Sequence, residues 1–119
     1  MRIHKSILIF QDELAIASVM KAILTDEGYR VEFFLTTDSL LEKINDFKPD
    51  LILIGRKIPP FSGEQSIKII KENCIIPIVF ISGSATLEDM QNSGADAYIS
   101  KPIDINKLLL IVKTITNSN

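Results

Sequence analysis

Five short apolar runs are spaced along the chain, and each is followed by a stretch in which apolar residues recur at three- to four-residue intervals. The first run, Ser6 to Phe10, predicts a strand, and Asp12 to Glu27 predicts a helix with Ile16, Val19, Met20 and Ile23 on one face, ended by Gly28. Arg30 to Phe34 is a second strand, and Thr37 or Asp38 is placed to cap a helix through Phe47 with Leu40, Leu41 and Ile44 inward. Pro49 marks the turn into a third strand, Leu51 to Ile54, whose unbroken aliphatic run predicts burial on both faces. Ser62 with Gln65 forms a capping-box pattern for a helix to about Asn73, with the stripe Ile67, Ile70 and Cys74. Ile76 to Ile81 is the fourth strand, Thr86 caps a short helix ending before Gly94, and Ala97 to Ser100 is the fifth strand. Asp104 then caps a helix to about Thr116. Ile105, Leu108, Leu109, Val112 and Ile115 share one side of that helix, and Leu110 projects nearly opposite.

This βα unit repeated five times is an α/β pattern: a doubly wound parallel sheet between two helical layers, in the strand order 2-1-3-4-5, as in flavodoxin-like three-layer sandwiches. Such sheets gather functional groups beyond the carboxyl ends of their strands, near the switch point between strands one and three. Those ends carry Gln11, Asp12 and Glu13, then Gly55, Arg56 and Lys57, then Ser82, Gly83 and Ser84, and finally Ser100, Lys101 and Pro102. Asp50 precedes strand three and belongs to the opposite end, roughly 13 Å away at the rise of a strand.

With 119 residues, 46% of them hydrophobic, the chain has material for one core, and a single domain over 1–119 without a linker is expected. A net charge of -2 without a basic stripe argues against nucleic-acid binding by this chain. The apolar run near the N-terminus is too short for a signal core or a membrane span, so a cytoplasmic protein is expected, with no membrane partner. The single cysteine, Cys74, excludes an internal disulfide and sits on a packing stripe, and His4 stands alone as a surface histidine. No nucleophile–base set, phosphate loop or zinc spacing appears, which argues against an enzyme.

Over its whole length the chain resembles the receiver domain of bacterial response regulators in two-component signalling. That family's acidic pair matches Gln11 and Asp12, and its phosphoacceptor aspartate matches Gly55, with the loop Ile58 to Gly63 behind it. Its hydroxyl residue matches Ser82, its switch aromatic Tyr98, and its lysine–proline pair Lys101 and Pro102. The resemblance implies a cis peptide bond before Pro102. It also implies phosphoryl transfer to a carboxylate, assisted by magnesium and by a fixed cation and hydroxyl. Lys101 and Ser82 could supply the cation and the hydroxyl, but Gly55 removes the nucleophile and Gln11 removes a metal-binding carboxylate. A lone Asp12 with an amide oxygen should hold magnesium at roughly millimolar or worse, so no functional metal site and no other cofactor are expected. Lys57 is either a solvated loop charge or an ammonium that faces Asp12 or Glu13 where a metal would sit.

The reading this supports is a pseudo-receiver that acts by binding other proteins, without phosphorylation at the usual position. A histidine kinase or an output protein is the expected kind of partner, and Tyr98 with Leu110 marks a candidate interaction face. An alternative keeps the chain in a phosphorelay, with Asp12 or Ser82 as an unconventional acceptor or with control by an anion near Lys101. A module binding flavin mononucleotide is a third reading, disfavoured because Gln11-Asp12-Glu13 would repel a phosphate. The sequence leaves the oligomeric state open.

Overall fold

The structure, a computed structural model, describes residues 4–117. Its elements are β1 (Ser6–Phe10), α1 (Leu14–Asp26), β2 (Arg30–Phe34), α2 (Leu40–Phe47), β3 (Leu51–Gly55), α3 (Gly63–Asn73), β4 (Ile78–Ser82), α4 (Leu87–Asn92), β5 (Ala97–Ser100) and α5 (Ile105–Asn117). The strands form one parallel sheet in the order β2-β1-β3-β4-β5, as the sequence pattern predicts.

β1, β3 and β4 are buried along their whole length because both faces are covered by helices. Alternate side chains still sort to opposite faces. Ile7, Ile9, Leu51, Leu53 and Val79 pack with Met20 and Leu24 of α1 and Leu108 and Val112 of α5. Leu8, Phe10, Ile52, Ile54 and Phe80 pack with Leu40 and Ile44 of α2, Ile67 and Ile70 of α3, and Met90 of α4.

Several local expectations are corrected. In α1 the fully buried residues are Ala17, Met20 and Leu24, while Val19 is 54% exposed: the helix is turned by about one position from the face read in the sequence. That helix begins at Leu14, with Glu13 as its N-cap and Asp12 outside it. Neither Thr37 nor Asp38 caps α2. The N-cap is Ser39, in a left-handed conformation with no side-chain cap bond. Thr37 is instead fully buried: its hydroxyl accepts from the Phe61 amide (2.8 Å) and donates to the Phe61 carbonyl (2.9 Å), tying the β2–α2 loop to the β3–α3 loop. Leu41 and Ile105, expected inward, stand partly exposed at the layer edges. β4 begins at Ile78 because Pro77 has no N–H for the ladder, although its carbonyl accepts from the Ile52 amide.

The predicted capping boxes are present, Ser62 with Gln65 on α3 and Thr86 with Asp89 on α4. The Asp104 carboxylate accepts from the amides of Asn106 and Lys107 at the start of α5. Cys74 terminates α3, half-buried. No helix of the described residues is long and apolar enough to cross a membrane.

Candidate functional site

At the carboxyl ends of β1, β3 and β4 lies a cleft of about 280 Å³ lined by Gln11, Asp12, Glu13, Arg56, Lys57, Ser82 and Lys101, among others. β1 delivers Gln11, whose amide is fixed by the Phe34 carbonyl of the neighbouring strand (3.1 Å). The Gln11 side chain is 1% exposed, and its Oε1 accepts from the Glu13 amide (3.3 Å) at the N-terminus of α1. Its Nε2 is buried and finds no acceptor among the described residues. β3 ends one strand over, in register with β1 so that Ile54 faces Phe10, which sets Gly55 beside Gln11. A β-carbon on Gly55 would lie 3.2 Å from Gln11 Nε2 and 3.6 Å from both Cδ and Oε1. The carboxamide therefore lies against the space from which a side chain at position 55 would project.

The loop after Gly55 is held on several sides. Its Arg56 carbonyl accepts from the Gly63 amide (2.8 Å). Gly63, which closes the loop matched to the family motif, is required there, since a β-carbon on it would collide with the Gly55 carbonyl oxygen and the Phe80 ring. Arg56 also reaches two helices: its Nε lies 3.1 Å from Glu64 in α3 and its Nη1 3.7 Å from Asp89 in α4. Asp89 is held below the usual carboxylate range, first by hydrogen bonds with the Thr86 backbone and side chain and then by the Arg56 charge.

On the far side of the cleft, β4 and β5 pair Ser82 with Ser100, and the Lys101 amide donates to the Ser82 carbonyl (3.1 Å). The Ser82 hydroxyl oxygen accepts from the amides of Ser84 (3.1 Å) and Ala85 (3.0 Å), shaping the turn into α4. Lys101 reaches across the cleft and its Nζ contacts Glu13 Oε1 at 3.1 Å. The peptide bonds before Pro102 and before Pro60 are both cis.

Of the residues singled out in the sequence, Gln11, Asp12, Glu13, Lys57, Ser82 and Lys101 line this one cleft, with Gly55 at its floor beside Gln11. Of the two readings of Lys57, solvated loop charge or ammonium facing Asp12 or Glu13, the structure shows no pairing with either carboxylate among the described residues. Lys57 is exposed, and Glu13 is paired by Lys101 instead. No three His, Cys, Asp or Glu side chains cluster among the described residues as metal ligands would. Tyr98 and Leu110 lie outside the cleft. Tyr98 is half-buried against the α4 side of the sheet, 3.5 Å from Gln91 Nε2, and Leu110 is 66% exposed on α5.

A larger groove, about 810 Å³, opens at the other end of the sheet. Its polar side chains serve the fold: Arg30 donates to Ser6 Oγ (2.9 Å) and to the Phe47 carbonyl (2.6 Å) and stacks on the Phe47 ring. Asp50, at that end as expected, accepts from the Ser6 amide (2.8 Å).

Residues 7–113 match the family model of the response regulator receiver domain. Among curated relatives, the transcriptional regulatory protein DltR of Streptococcus agalactiae is 32% identical over 117 residues, covering 95% of this chain and 52% of its own. The phosphate regulon transcriptional regulatory protein PhoB of Klebsiella pneumoniae is 31% identical, covering 93% of this chain and 51% of its own. The chain thus spans about half the length of these relatives. Among solved structures, a CheY-like receiver domain protein from Methanospirillum hungatei superposes with a TM-score of 0.86 at 36% identity, covering 96% of this chain and 94% of that one. The receiver domain of the Francisella response regulator 1452 gives 0.88 at 26% identity, covering 95% and 97%. The match spans all five βα units, and the chain belongs to the response regulator receiver domain family.

Proposed function

We propose that this receiver domain works as a protein-binding module in two-component signalling and does not accept a phosphoryl group at the end of β3. The observation that carries this reading is the Gln11–Gly55 contact. Position 55 offers no nucleophile, and a neutral carboxamide lies against the space where a nucleophilic side chain would project.

The residues present do not fit magnesium. A hard divalent cation seeks several oxygen ligands in octahedral array, usually including carboxylates. Gln11 turns its Oε1 to the Glu13 amide, Glu13 is bound to Lys101, and among the described residues Asp12 alone is left as a carboxylate without a partner on the cleft. Contact with a partner then carries the signal, with a kinase or an output protein as the expected kind of partner. Tyr98 and Leu110 border the surface proposed for that contact.

Intact mass after incubation with acetyl phosphate and magnesium tests the reading. An unchanged mass supports it. A stoichiometric phosphoryl adduct would overturn it, and mapping the adduct to Asp12 or Ser82 would identify a replacement acceptor.

A further inference from the structure

Helix α1 carries more apolar surface than its core contacts use. The sequence pattern puts Ile16, Val19, Met20 and Ile23 on one face, but only Ala17, Met20 and Leu24 are fully buried, and Val19 stands 54% exposed. Beside it, the segment leading into α5 exposes Pro102 and leaves Ile105 48% exposed. Between the two runs a groove of about 390 Å³ floored by Met20 and Leu108. All of its lining side chains are apolar except Lys101, which Glu13 holds at one end. Removing water from such a groove favours association.

Two asymmetries between its lips say what covers it. The first is size. Exposed residues of α1 are small at Ala15, Ser18 and Ala22, whereas α5 presents Ile105 and, four residues on, Leu109. The second is charge. The one base of α1, Lys21, is committed to Glu32, and the exposed Asp26 makes no ion pair among the described residues. Helix α5 has no acid, and its exposed Lys113, four residues past Leu109, is likewise without an ion pair among the described residues. Asp26 follows Val19 by seven residues, about two helical turns, and so continues the α1 lip as Lys113 continues the α5 lip. Both helices return from the carboxyl to the amino ends of the parallel strands, and a hydrogen bond between the Tyr29 and Thr116 hydroxyls (3.2 Å) ties their far ends together. The acid and the base therefore stand at the same end of the groove.

We propose that this groove is the contact face of a symmetric dimer of this chain. A two-fold axis along the groove sets α1 of each copy against α5 of the other, with the helices pointing the same way. Small residues then meet large ones, and Asp26 of each copy meets Lys113 of the other. An axis across the groove would instead set α1 against α1 and α5 against α5, pairing small with small and large with large. The groove belongs to the layer of α1 and α5, on the opposite face of the sheet from the Tyr98 ring. The dimer thus goes beyond the protein-binding reading and stands or falls independently of it.

The test is sedimentation velocity on the chain from ~1 μM to ~1 mM. The expected result is a reversible shift from one copy to two. Val19→Glu, at an exposed position, should abolish the shift with helix content unchanged. Asp26→Lys and Lys113→Glu, both at exposed positions, should each raise the dissociation constant ~5-fold or more, since each turns two attracting pairs into repelling ones. Combining the two exchanges should restore the parent's value, a rescue that damage to the fold could not give. A single copy at every concentration would leave the groove to another occupant and overturn the proposal. So would a dimer indifferent to Val19→Glu and to both charge reversals, or the absence of rescue in the combined variant.

Discussion

The Gln11 amide nitrogen lies 3.2 Å from the point where a β-carbon on Gly55 would stand, and its carboxamide covers that point from one side. The two departures from the family pattern are thus a single packed contact across β1 and β3. Replacing one partner alone leaves the other shaped for its absence.

Gly55→Asp is therefore expected to restore little. The new carboxylate would press on the Gln11 carboxamide or accept from its Nε2, and the cleft would still lack a second metal-binding carboxylate. With Gln11→Asp added, the cleft would gain two carboxylates beside Asp12, a set suited to magnesium. Acetyl phosphate with magnesium should then yield an adduct in the double variant, at least ~10-fold more than in Gly55→Asp alone. Intact mass measures both, and equal labelling of the two variants would contradict the packed-contact reading.

Gln11→Leu tests the orphan nitrogen through stability. Leucine has a similar size and removes a buried donor that has no acceptor among the described residues, at the loss of one 3.3 Å bond to the Glu13 amide. A gain of about 1 kcal/mol in urea unfolding is expected. A loss of comparable size would mean that the nitrogen is satisfied in solution.

The strands were legible because each is a short aliphatic run bounded by turn residues, and three of the five strands begin and end where the pattern places them, at Ser6–Phe10, Arg30–Phe34 and Ala97–Ser100. Capping boxes at Ser62 and Thr86 were legible for the same reason, since the partners sit three residues apart. What escaped depends on tertiary approach. Thr37 carries a local capping signal, yet it serves Phe61, 24 residues on, because two loops meet there. Gly63 matters only because α3 starts against the Gly55 carbonyl. Val19 illustrates a third cause, since one helical stripe can turn by a residue without any change in sequence pattern. The Gln11–Gly55 contact could have been found: the strand order 2-1-3 makes β1 and β3 neighbours, and both residues stand at their carboxyl ends.

Thr37→Val should expose the value of the loop latch. Valine keeps the shape but leaves the Phe61 amide without its acceptor, while the Phe61 carbonyl keeps only the longer bond from the Ser66 hydroxyl (3.3 Å). A cost of about 1–2 kcal/mol in denaturant unfolding is expected, since Phe61 itself is partly exposed and water recovers some of the loss. No change would place the loop's stability elsewhere.

Leu110 separates stability from recognition. At 66% exposure on α5 it contributes little to the core, so Leu110→Glu should leave unfolding within about 0.5 kcal/mol of the parent. If this face engages a partner, the substitution should weaken capture of that partner. Unchanged partner binding would remove Leu110 from the surface.

Asp89 links the cleft loop to α4, and its titration reports that link. Its carboxyl is ordinarily half-protonated at 3.8 and is lowered in the folded protein, by the Thr86 hydrogen bonds first and the Arg56 charge last. A lowered folded value means that the ionised cap contributes its full stabilisation above 3.8 and loses it as pH falls from there through the folded value. Carbon-detected NMR of the Asp89 carboxyl should thus show a midpoint below 3.8. Arg56→Ala should raise that midpoint, and Thr86→Ala should raise it further, in the order of the causes. Because Arg56 also bridges to Glu64, its removal should speed amide exchange in α4, where only one turn and a half of helix holds the capping box in place. A midpoint indifferent to Arg56 would show that the loop after Gly55 and the fourth helix are not electrostatically joined.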